Sequence, residues 1–468
     1  IIQMIRRFID RILSKPSKQK SLLHGHGLTP KKILKRSHHI NPELLSKNAI
    51  KVTHVLQEAG YDAYIVGGAV RDLLLGIAPK DFDVATNATP DQVQKLFRRS
   101  RLIGRRFQIV HVTFYGKDRP EIIEVSTFRA HVQADDAHVA ANGRILRDNV
   151  WGSQGEDATR RDFTINAMYY DPQTETVLDY HGGMQDIEAR TIRMIGEPSQ
   201  RYREDPVRML RAIRFAAKTK FSIEPSTLAP IETLGDLIQD VPSSRLFDEI
   251  LKLLMSGHAW ASIQGLKDVG LHQKILPLID AILENEDRAL FVKKSLDNTD
   301  LRVRAGKPVS PGFLFASLLW HDVQDAWAHY ENGGMPSVPA LHAAIDEVFE
   351  SQKAFLGMQR RHEADMREIW TMQPRLEKRV GRYPFRLIES AKFRAGYDFL
   401  LLRCETDEVP MELGEWWTSF WQGDDLIRQD LMASVKNIAP ESSGPSPKRK
   451  RRRTRSRNAK SVAPEQNN

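Results

Sequence analysis

The segment between residues 61 and 85 constrains the fold of this chain more than any other part of the sequence. Tyr61 to Val66 is rich in aromatic and β-branched residues and predicts a short strand. Gly67-Gly68 interrupts that strand, and Ala69 to Leu75 predicts a helix that begins directly after the glycines. Phe82 to Ala85 predicts a second strand. This order of elements is typical of a small mixed α/β unit.

Neighbouring segments extend this unit on both sides. A helix is predicted at 47–59, and another at 91–98 behind Thr89-Pro90. Strands are predicted at 107–114 and 121–128, which are rich in aromatic and β-branched residues. The first part of the chain therefore resembles neither an all-helical nor an all-strand domain.

Strand signals fade after about residue 155. Helices are predicted at 158–170, 205–218 and 244–255, and helical patterns continue to about residue 432. The fold class is therefore predicted to be α+β, a small mixed α/β head followed by an extended all-α neck and body. The expected parts are a basic N-terminal extension at 1–45, the head at 46–171, the neck at 172–275, the body at 276–435 and a disordered basic tail at 436–468.

Positive charge is concentrated at the two ends. Residues 1–39 hold ten Lys or Arg against Asp10 alone, and residues 445–460 hold nine with no acid. Because the formal net charge of the whole chain is +9, the middle must be acidic overall. Basic segments bind polyanions by releasing counterions, so both ends favour contact with nucleic acid.

The single cysteine, Cys404, excludes an internal disulfide and fits a reducing compartment, so a cytoplasmic location is expected. It is interpreted as a small buried hydrophobe rather than a nucleophile. No apolar stretch is long enough to span a bilayer. Ile1 to Leu13 is amphipathic and basic, which leaves a peripheral contact with an anionic membrane open, although a disordered extension is the preferred interpretation.

The glycine turn continues into Arg71 and Asp72. Glycines let a ligand approach the backbone, and a helix N-terminus presents free N–H groups to an anion. Arg71 adds a guanidinium fork for phosphate oxygens. Because neither a Rossmann nor a Walker pattern is present, the turn alone is best explained as a plain strand-to-helix connection.

Asp81 and Asp83 flank Phe82. Residues two apart on a strand point to the same face, so the two carboxylates are expected to project together while Phe82 packs on the buried side. Such a pair repels unless cations neutralise it, and two Mg²⁺ ions do so in phosphoryl-transfer sites. A surface Asp-x-Asp is the alternative, and the nearby glycine turn favours the metal hypothesis.

Together these segments resemble the head motif of class II nucleotidyltransferases. That group contains bacterial poly(A) polymerases and CCA-adding tRNA nucleotidyltransferases. The matching segments are Gly67 to Gly76 and Pro79 to Thr86. The resemblance implies that Asp81 and Asp83 are catalytic and hold two Mg²⁺ ions. It also implies nucleotide contacts from the glycine-turn residues Gly67, Gly68, Arg71 and Asp72.

The segment from Arg160 to Ala167 resembles the ribose and phosphate motif of the same family. This match implies that Asp162 is a catalytic carboxylate and that Arg161 and Asn166 contact the nucleotide. A carboxylate at Asp162 can accept a hydrogen bond from the ribose 2′-hydroxyl, which would select ATP over dATP. Whether Asp162 touches metal or ribose is left open, and Glu124 competes for the third metal carboxylate at a lower rank.

Asp205, Arg208 and Arg211 fall on one side of a predicted helix, at positions i, i+3 and i+6. Asp205 is expected to be the N-cap ahead of Pro206. The surrounding segment, Arg203 to Ala217, also resembles the family, which implies that this side recognises the incoming base in place of a template. A salt-bridged surface helix is the alternative that the extended match disfavours.

Leu102 to Val112 is the segment that distinguishes the two activities of the family. Its Gly-Arg-Arg-Phe core and His111 resemble the stretch characteristic of bacterial poly(A) polymerases. Arg105 and Arg106 are therefore expected to bind RNA. The basic tail also resembles the poly(A) polymerases, and its expected RNA-binding residues are Lys448, Arg449, Arg451, Arg452 and Arg453.

The resemblance as a whole implies template-independent addition of AMP from ATP to RNA 3′ ends, with release of pyrophosphate. The implied partners are RNA of broad sequence and proteins of RNA decay, which such tails promote, and a monomer is expected. Two alternatives are a CCA-adding enzyme and an RNA-binding adaptor that would not need Asp81 and Asp83. His321-Asp322 lacks partners at the spacing of a phosphohydrolase module and is interpreted as structural.

Overall fold

The structure is a computed structural model that describes residues 28–104, 108–116, 120–130, 150–275, 285–353 and 357–438. These residues form two compact units, divided between Trp370 and Thr371. No helix within these ranges combines the length and the apolar character that crossing a membrane requires.

Strands lie in the first of these units. Their bounds are β1 (Lys31–Leu34), β2 (Ala63–Val66), β3 (Asp83–Thr86), β4 (Ser100–Ile103), β5 (Ile109–Phe114), β6 (Glu121–Thr127), β7 (Met168–Asp171), β8 (Thr176–Asp179), β9 (Thr191–Ile192) and β10 (Ser222–Ile223).

Helices occur in both units. Those up to residue 275 are α1 (Lys35–His38), α2 (Lys47–Glu58), α3 (Gly68–Leu74), α4 (Pro90–Leu96), α5 (Gln154–Arg160), α6 (Gly183–Glu188), α7 (Pro198–Glu204), α8 (Val207–Thr219), α9 (Pro225–Leu234), α10 (Ser243–Leu254), α11 (Ala259–Asp268) and α12 (His272–Ile275). Those that follow are α13 (Glu286–Arg304), α14 (Pro311–Leu318), α15 (Trp320–Asn332), α16 (Ser337–Gln352), α17 (Arg360–Leu376), α18 (Tyr383–Ile388), α19 (Phe393–Glu405), α20 (Met411–Gln422) and α21 (Asp425–Ile438).

The head is built on one eight-stranded sheet in the order β1-β8-β7-β2-β3-β6-β5-β4. The β3–β6 pair is parallel, and the other pairs in this sheet are antiparallel. Strand β3 lies near the centre, with Asp83 opposite Val66 on one neighbour and opposite Glu124 on the other. The register therefore brings the start of the glycine turn, Asp83 and Glu124 side by side.

Local patterns predicted the centre of this sheet correctly. Strand β2, helix α3 and strand β3 begin and end within two residues of the expected bounds. Helix α4 has a complete capping box, because the Thr89 hydroxyl accepts from the Gln92 backbone and the Gln92 side chain accepts from the Thr89 backbone. The mixed α/β head followed by helices is confirmed.

The head is larger than the sequence indicated. Strand β1 pairs with β8, so residues assigned to the basic extension and to the neck form one edge of the head sheet. The carboxylate of Glu175 accepts from Lys35, and its carbonyl oxygen lies 2.9 Å from His38 Nε2. These contacts hold the edge in place, so strands β1 and β8 belong to the head sheet.

The helix predicted at 158–170 is wrong beyond its first turn. Helix α5 ends at Arg160, where Arg201 Nη2 donates to the carbonyl oxygens of Arg160 and Arg161. The chain then forms a short 3-10 turn at Thr164–Asn166 and strand β7. Met168 to Tyr170 is buried between β2 and β8, and pairing inside a sheet satisfies its backbone better than continued helix would.

Helices α8 and α10 form the wall of the neck that faces the head. Helix α8 packs on α10 and α11 through its buried positions, which include Leu210 and Ile213. Its opposite side carries Arg208, Arg211 and Lys218. The amphipathic pattern therefore fixes which side of α8 is available to a ligand.

The second unit has its own aromatic core. Trp416, Trp417 and Phe420 of α20 pack against Phe393 and Tyr397 of α19. Cys404 is buried in this cluster, as its apolar surroundings predicted, and burial raises the pKa of its thiol. In the first unit, His321 lies in α15 with its ring edge against Phe291, at 5.2 Å between centroids.

Candidate active site

The glycine turn leaves strand β2 in a conformation that requires glycine. Gly67 has φ 76° and ψ −131°, a region that residues with a Cβ essentially do not adopt. A Cβ on Gly67 would also lie 3.5 Å from Arg161 Nη1. The turn therefore allows the backbone at the start of α3 to lie directly beside the guanidinium of Arg161.

Asp81 and Asp83 both line the cavity next to this turn. Strand β3 begins at Asp83, so Asp81 lies in the bend before the strand rather than on it, and Phe82 between them is buried. Asp83 is open to the cavity but surrounded by protein elsewhere. Burial and the negative charges of Glu124 and Asp81 raise the pKa of Asp83 to about 6. The positive charge of Arg161 partly opposes this increase.

Glu124 lies on β6 directly beside Asp83. Its Oε1 is 3.3 Å from Nε2 of His111, the residue opposite it on β5. The charge of Glu124 acts on Asp83 more strongly than that of Asp81 does. The negative charges of Glu124 and Asp81 therefore both act on Asp83, and no described ion pair neutralises Asp81 or Asp83.

Arg71 and Asp72 are buried, and the guanidinium of Arg71 is not free to bind phosphate. Arg71 Nε and Nη2 donate to Asp72 Oδ1 at 2.8 and 2.7 Å, and Nη1 donates to Asn166 Oδ1 at 2.7 Å. Asp72 Oδ2 accepts from Lys218 Nζ at 2.8 Å. The guanidinium of Arg71 thus links α3 to the 162–166 turn, and Lys218 links α3 to the neck.

Asp157 was missed in the sequence, although it precedes Arg160 and Arg161 by three and four residues. Its carboxylate lies 3.3 Å from Arg160 Nε and 3.0 Å from Arg161 Nη2. Burial would raise the pKa of Asp157, but the charges of Arg161 and Arg160 and the hydrogen bonds from Tyr169 and Arg161 hold it below its usual value. The i, i+4 spacing to Arg161 was the available signal.

Asp162 is 8% exposed and forms a short ion pair with Arg211 of the neck. Arg211 Nε donates to Asp162 Oδ2 at 2.6 Å, and the backbone N–H of Phe163 donates to Oδ1 at 2.8 Å. Burial opposes the charge of Asp162, yet Arg211 and these hydrogen bonds lower its pKa. Its oxygens are therefore already occupied by protein donors.

Asp205 does not cap α8, which corrects the expectation from sequence. Pro206 itself is the N-cap and has no side-chain donor or acceptor, so the helix begins one residue later than Asp205 would allow. Asp205 Oδ2 instead accepts from Arg245 Nη2 of α10 at 2.7 Å, while its buried Oδ1 has no described partner. Arg208 Nη1 donates to the Arg201 carbonyl oxygen and to Glu204.

These side chains converge on one cavity of about 510 Å³ between the head sheet and the neck helices. Every nucleotide-binding or catalytic residue predicted from sequence lines it: Gly67, Gly68, Arg71, Asp72, Asp81, Asp83, Arg161, Asp162, Asn166, Asp205, Arg208 and Arg211. Other lining residues that the sequence did not single out are Lys80, Arg214, Phe215, Lys218, Arg245 and Glu249.

Some predicted residues lie outside the described part of the chain. These are Arg105, Arg106, Lys448, Arg449, Arg451, Arg452 and Arg453. Among the described residues, no group of three or more acidic, histidine or cysteine side chains is arranged as a metal-binding cluster.

Comparison with known families matches three parts of the chain. Residues 63–193 match the poly A polymerase head domain, and residues 220–283 match a probable RNA- and SrmB-binding site of polymerase A. Residues 333–458 match the arginine-rich C-terminus of polymerase A. Together the matches cover most of the head, part of the neck and most of the second unit.

Individual relatives agree with these matches. Poly(A) polymerase I of Salmonella typhimurium is 45% identical over 399 residues, which cover 83% of this chain and 85% of the relative. The CCA-adding enzyme of Levilactobacillus brevis is 37% identical over 222 residues, or 47% of this chain. The solved CCA-adding enzyme of Bacillus stearothermophilus in complex with CTP is 25% identical, with a TM-score of 0.51, and the match covers 84% of this chain and 83% of that one.

The fold and the carboxylate-lined cavity therefore define a nucleotidyltransferase, and the chain is an enzyme of that class. Within the class, the extent of the similarity is decisive, since it includes the head, the neck and the arginine-rich segment. The chain belongs to the poly(A) polymerase I family.

Proposed function

We propose that this enzyme transfers AMP from ATP to RNA 3′ ends without a template and releases pyrophosphate. The observation that supports this most directly is the single cavity that joins the Asp81–Asp83 pair and the glycine turn to Asp205 and Arg208. The name and extent of the Salmonella relative support adenylate as the transferred group.

Asp81 and Asp83, which both line the cavity, have the donor chemistry that Mg²⁺ requires. Carboxylate oxygens are the donors that this ion prefers, and a divalent cation would relieve the repulsion that raises the pKa of Asp83. Asp81 and Asp83 would hold two ions, and Glu124 is a better third carboxylate than Asp162, because the oxygens of Asp162 already accept from Arg211 and Phe163. When bound, the ions would activate the 3′-hydroxyl and neutralise the triphosphate.

The protein's own cations would orient the triphosphate. Arg161 lies beside the glycine turn, where the free backbone N–H groups of α3 begin. Arg71 would act indirectly, by holding Asp72 and Asn166, because its donors are occupied by these two side chains. The glycine turn and Arg161 would therefore hold the leaving pyrophosphate in place, which lowers the entropic part of the barrier.

Ribose and base would lie along α8. Asp162, held by Arg211, keeps its charge and can accept from a ribose hydroxyl. The buried Oδ1 of Asp205 has no described partner and could accept a hydrogen bond from the amino group of adenine. Arg245 donates to the other oxygen and so holds the carboxylate in place. Arg208 would complete the hydrogen bonding to the base.

The decisive experiment gives the purified full chain a generic RNA, Mg²⁺ and each nucleoside triphosphate separately. Long tails with ATP alone, absent in Asp81→Ala, are the expected result. Addition of C then A restricted to tRNA would show a CCA-adding enzyme. Full incorporation by Asp81→Ala would show that this carboxylate is not needed for transfer, and RNA binding without incorporation by the unmodified chain would leave only the RNA-binding adaptor.

We further infer that the enzyme acts as a monomer in the cytoplasm and that its tails promote RNA decay with partner proteins. The single buried Cys404 supports a reducing compartment. Half-lives of tailed and untailed transcripts, measured in cells with and without the enzyme, would test the role in decay. Equal half-lives would contradict it.

A further inference from the structure

Two buried side chains behind the cavity wall converge on Arg161. Asp157 is 4% exposed and Tyr169 is fully buried. Neither is among the described residues that line the cavity, so neither is placed to touch a nucleotide. Their contacts with Arg161 are nevertheless more numerous than ion pairing alone requires.

The contacts occupy one edge of the guanidinium. Asp157 Oδ2 accepts from Arg161 Nη2 at 3.0 Å and from Nε at 3.3 Å. The Tyr169 hydroxyl donates to the same Oδ2 at 2.7 Å, and Arg161 Nε also lies 3.3 Å from the Tyr169 oxygen. Because a guanidinium is planar, fixing the Nε–Nη2 edge fixes the direction of Nη1.

Nη1 is the nitrogen of Arg161 that no described hydrogen bond uses. It is also the heavy atom nearest to the position that a Cβ on Gly67 would take, at 3.5 Å. The charge of Arg161 reaches Asp83, whose pKa it lowers against the effect of burial. The free end of the guanidinium therefore lies beside the glycine turn, and the charge that it carries also acts on Asp83.

Tyr169 is held rigidly by other aromatic rings. Tyr64 and Phe128 each lie 6.2 Å from it between centroids, and Tyr180 lies 6.0 Å away, all edge-on. In a close-packed core such a ring cannot shift without moving its neighbours. Its hydroxyl is therefore held in one position, where it contacts both Asp157 and Arg161.

We propose that Asp157 and Tyr169 are positioning residues, which hold Arg161 so that Nη1 faces the triphosphate at the glycine turn. The inference rests on the proposed function and extends it to residues that touch no substrate. Arg160 shares Asp157 through the second carboxylate oxygen, at 3.3 Å, so the same carboxylate also restrains the neighbouring cation of the cavity wall.

The first test measures binding of inorganic tripolyphosphate to the full chain, by its inhibition of AMP incorporation and by calorimetry. Asp157→Asn is expected to weaken tripolyphosphate about tenfold, and Tyr169→Phe about threefold, since a charge-assisted hydrogen bond is lost or loosened. Adenosine binding should not change in either variant. Tyr170→Phe is the matched control, because its ring lies near His38 and makes no described contact with Arg161.

The second test is a double-mutant cycle between Asp157→Asn and Arg161→Gln, read as kcat/KM for ATP. If Asp157 acts through Arg161, Asp157→Asn should cost about tenfold in the wild-type background and almost nothing beside Arg161→Gln. The proposal would be overturned if Asp157→Asn reduced kcat/KM equally in both backgrounds. It would also be overturned if Asp157→Asn and Tyr169→Phe both left tripolyphosphate binding unchanged.

Tyr169→Phe carries the test if Asp157→Asn does not fold. Failure of the proposed function is distinguishable from failure of this inference, because calorimetric binding of tripolyphosphate needs no turnover. A wild-type enzyme that binds tripolyphosphate but does not transfer AMP would reject the function alone. Wild-type transfer with unchanged tripolyphosphate binding in Tyr169→Phe would reject the positioning role alone.

Discussion

Two sets of acids lie in or next to the cavity, and they differ in whether a cation of the protein compensates their charge. At the start of β3, Asp81 and Asp83 have no described ionic partner, and burial together with the charges of Glu124 and Asp81 raises the pKa of Asp83 to about 6. Elsewhere each acid has a cationic partner, and the pKa of both Asp157 and Asp162 is lowered despite burial. We refer to these as the open acids and the paired acids.

Three of the paired acids join two distant segments of the chain, whereas Asp157 is paired within its own segment. Asp72 is joined to Lys218, Asp162 to Arg211 and Asp205 to Arg245, so each pair spans from 40 to 146 residues in sequence. An internal cation makes an acid a structural contact, whereas an acid without one is available to an external cation. The comparison therefore predicts different consequences of removing each kind.

Removing an open acid should have the largest effect on chemistry and the smallest on folding. Asp83→Asn is expected to reduce AMP incorporation about 10³-fold, because the charge that would hold the metal is lost. The melting temperature without Mg²⁺ should be unchanged or higher, since a repelled charge has gone. Incorporation of labelled AMP and a thermal melt would measure both.

Asp91→Asn, on the exposed first turn of α4, is the control for Asp83→Asn and should retain activity. Addition of Mg²⁺ should raise the melting temperature of wild type and of this control but not of Asp83→Asn. A marked fall in the melting temperature of Asp83→Asn without Mg²⁺ would contradict the distinction between open and paired acids.

Breaking a pair should affect both folding and chemistry. Arg211→Ala leaves the buried carboxylate of Asp162 without its main partner, so the free energy of unfolding should fall by about 3 kcal/mol and activity by about 10²-fold. Arg211→Lys, which keeps the charge, should lose less of both. Denaturant unfolding beside initial rates is the measurement, and unchanged stability would contradict the pairing.

The same pair predicts a pH dependence with a definite sign. The pKa of Asp162 lies below its unfolded value, so the pair stabilises the protein above about pH 4 and less as pH falls below that. The stability difference between wild type and Arg211→Ala should therefore shrink in acid. A difference that grew as pH fell would show that another group is responsible.

Removal of the basic tail leaves both sets of acids in the sequence. Deleting residues 445–468 is expected to weaken RNA binding about tenfold at low salt and to reduce the slope of log affinity against log salt by up to about 5. Addition of a single nucleotide should change less than RNA affinity does. Filter binding over a salt series measures this, and an unchanged slope would contradict an RNA-binding role for the tail.

The smallest expected effect is on the choice of base. Arg245 is about half exposed, and its ion pair with Asp205 contributes modestly to stability. Arg245→Ala should reduce the preference for ATP over CTP about fivefold, because Asp205 is no longer fixed, with little change in melting temperature. Competition between the two nucleotides gives the ratio, and a loss of stability without a change in preference would assign Arg245 a structural role.

Several features of the site were predictable from local sequence. Gly67-Gly68 marked the turn because few other residues tolerate φ 76° with ψ −131°. Asp81 and Asp83 were identified by their spacing around a buried Phe82, even though Asp81 lies before the strand. These features depend on neighbours within a few residues, and such neighbours are visible in the sequence.

The partners of the acids were not predictable in the same way. Asp205 was expected to cap its own helix, yet Arg245, 40 residues later, binds it. Strands β1, β7 and β8 were assigned to an extension, a helix and the neck, because a four-residue strand is stabilised by the strands beside it rather than by its own pattern.

By itself, the sequence indicated the reaction class, because the glycine turn, the two aspartates and the Arg161-Asp162 motif together resemble the class II nucleotidyltransferases, although spacing alone left each of them open to a structural explanation. The tertiary structure alone decided which acids are open and which are paired. Charge compensation depends on distance in space and on burial, and both arise only when the head sheet and the neck helices enclose one cavity.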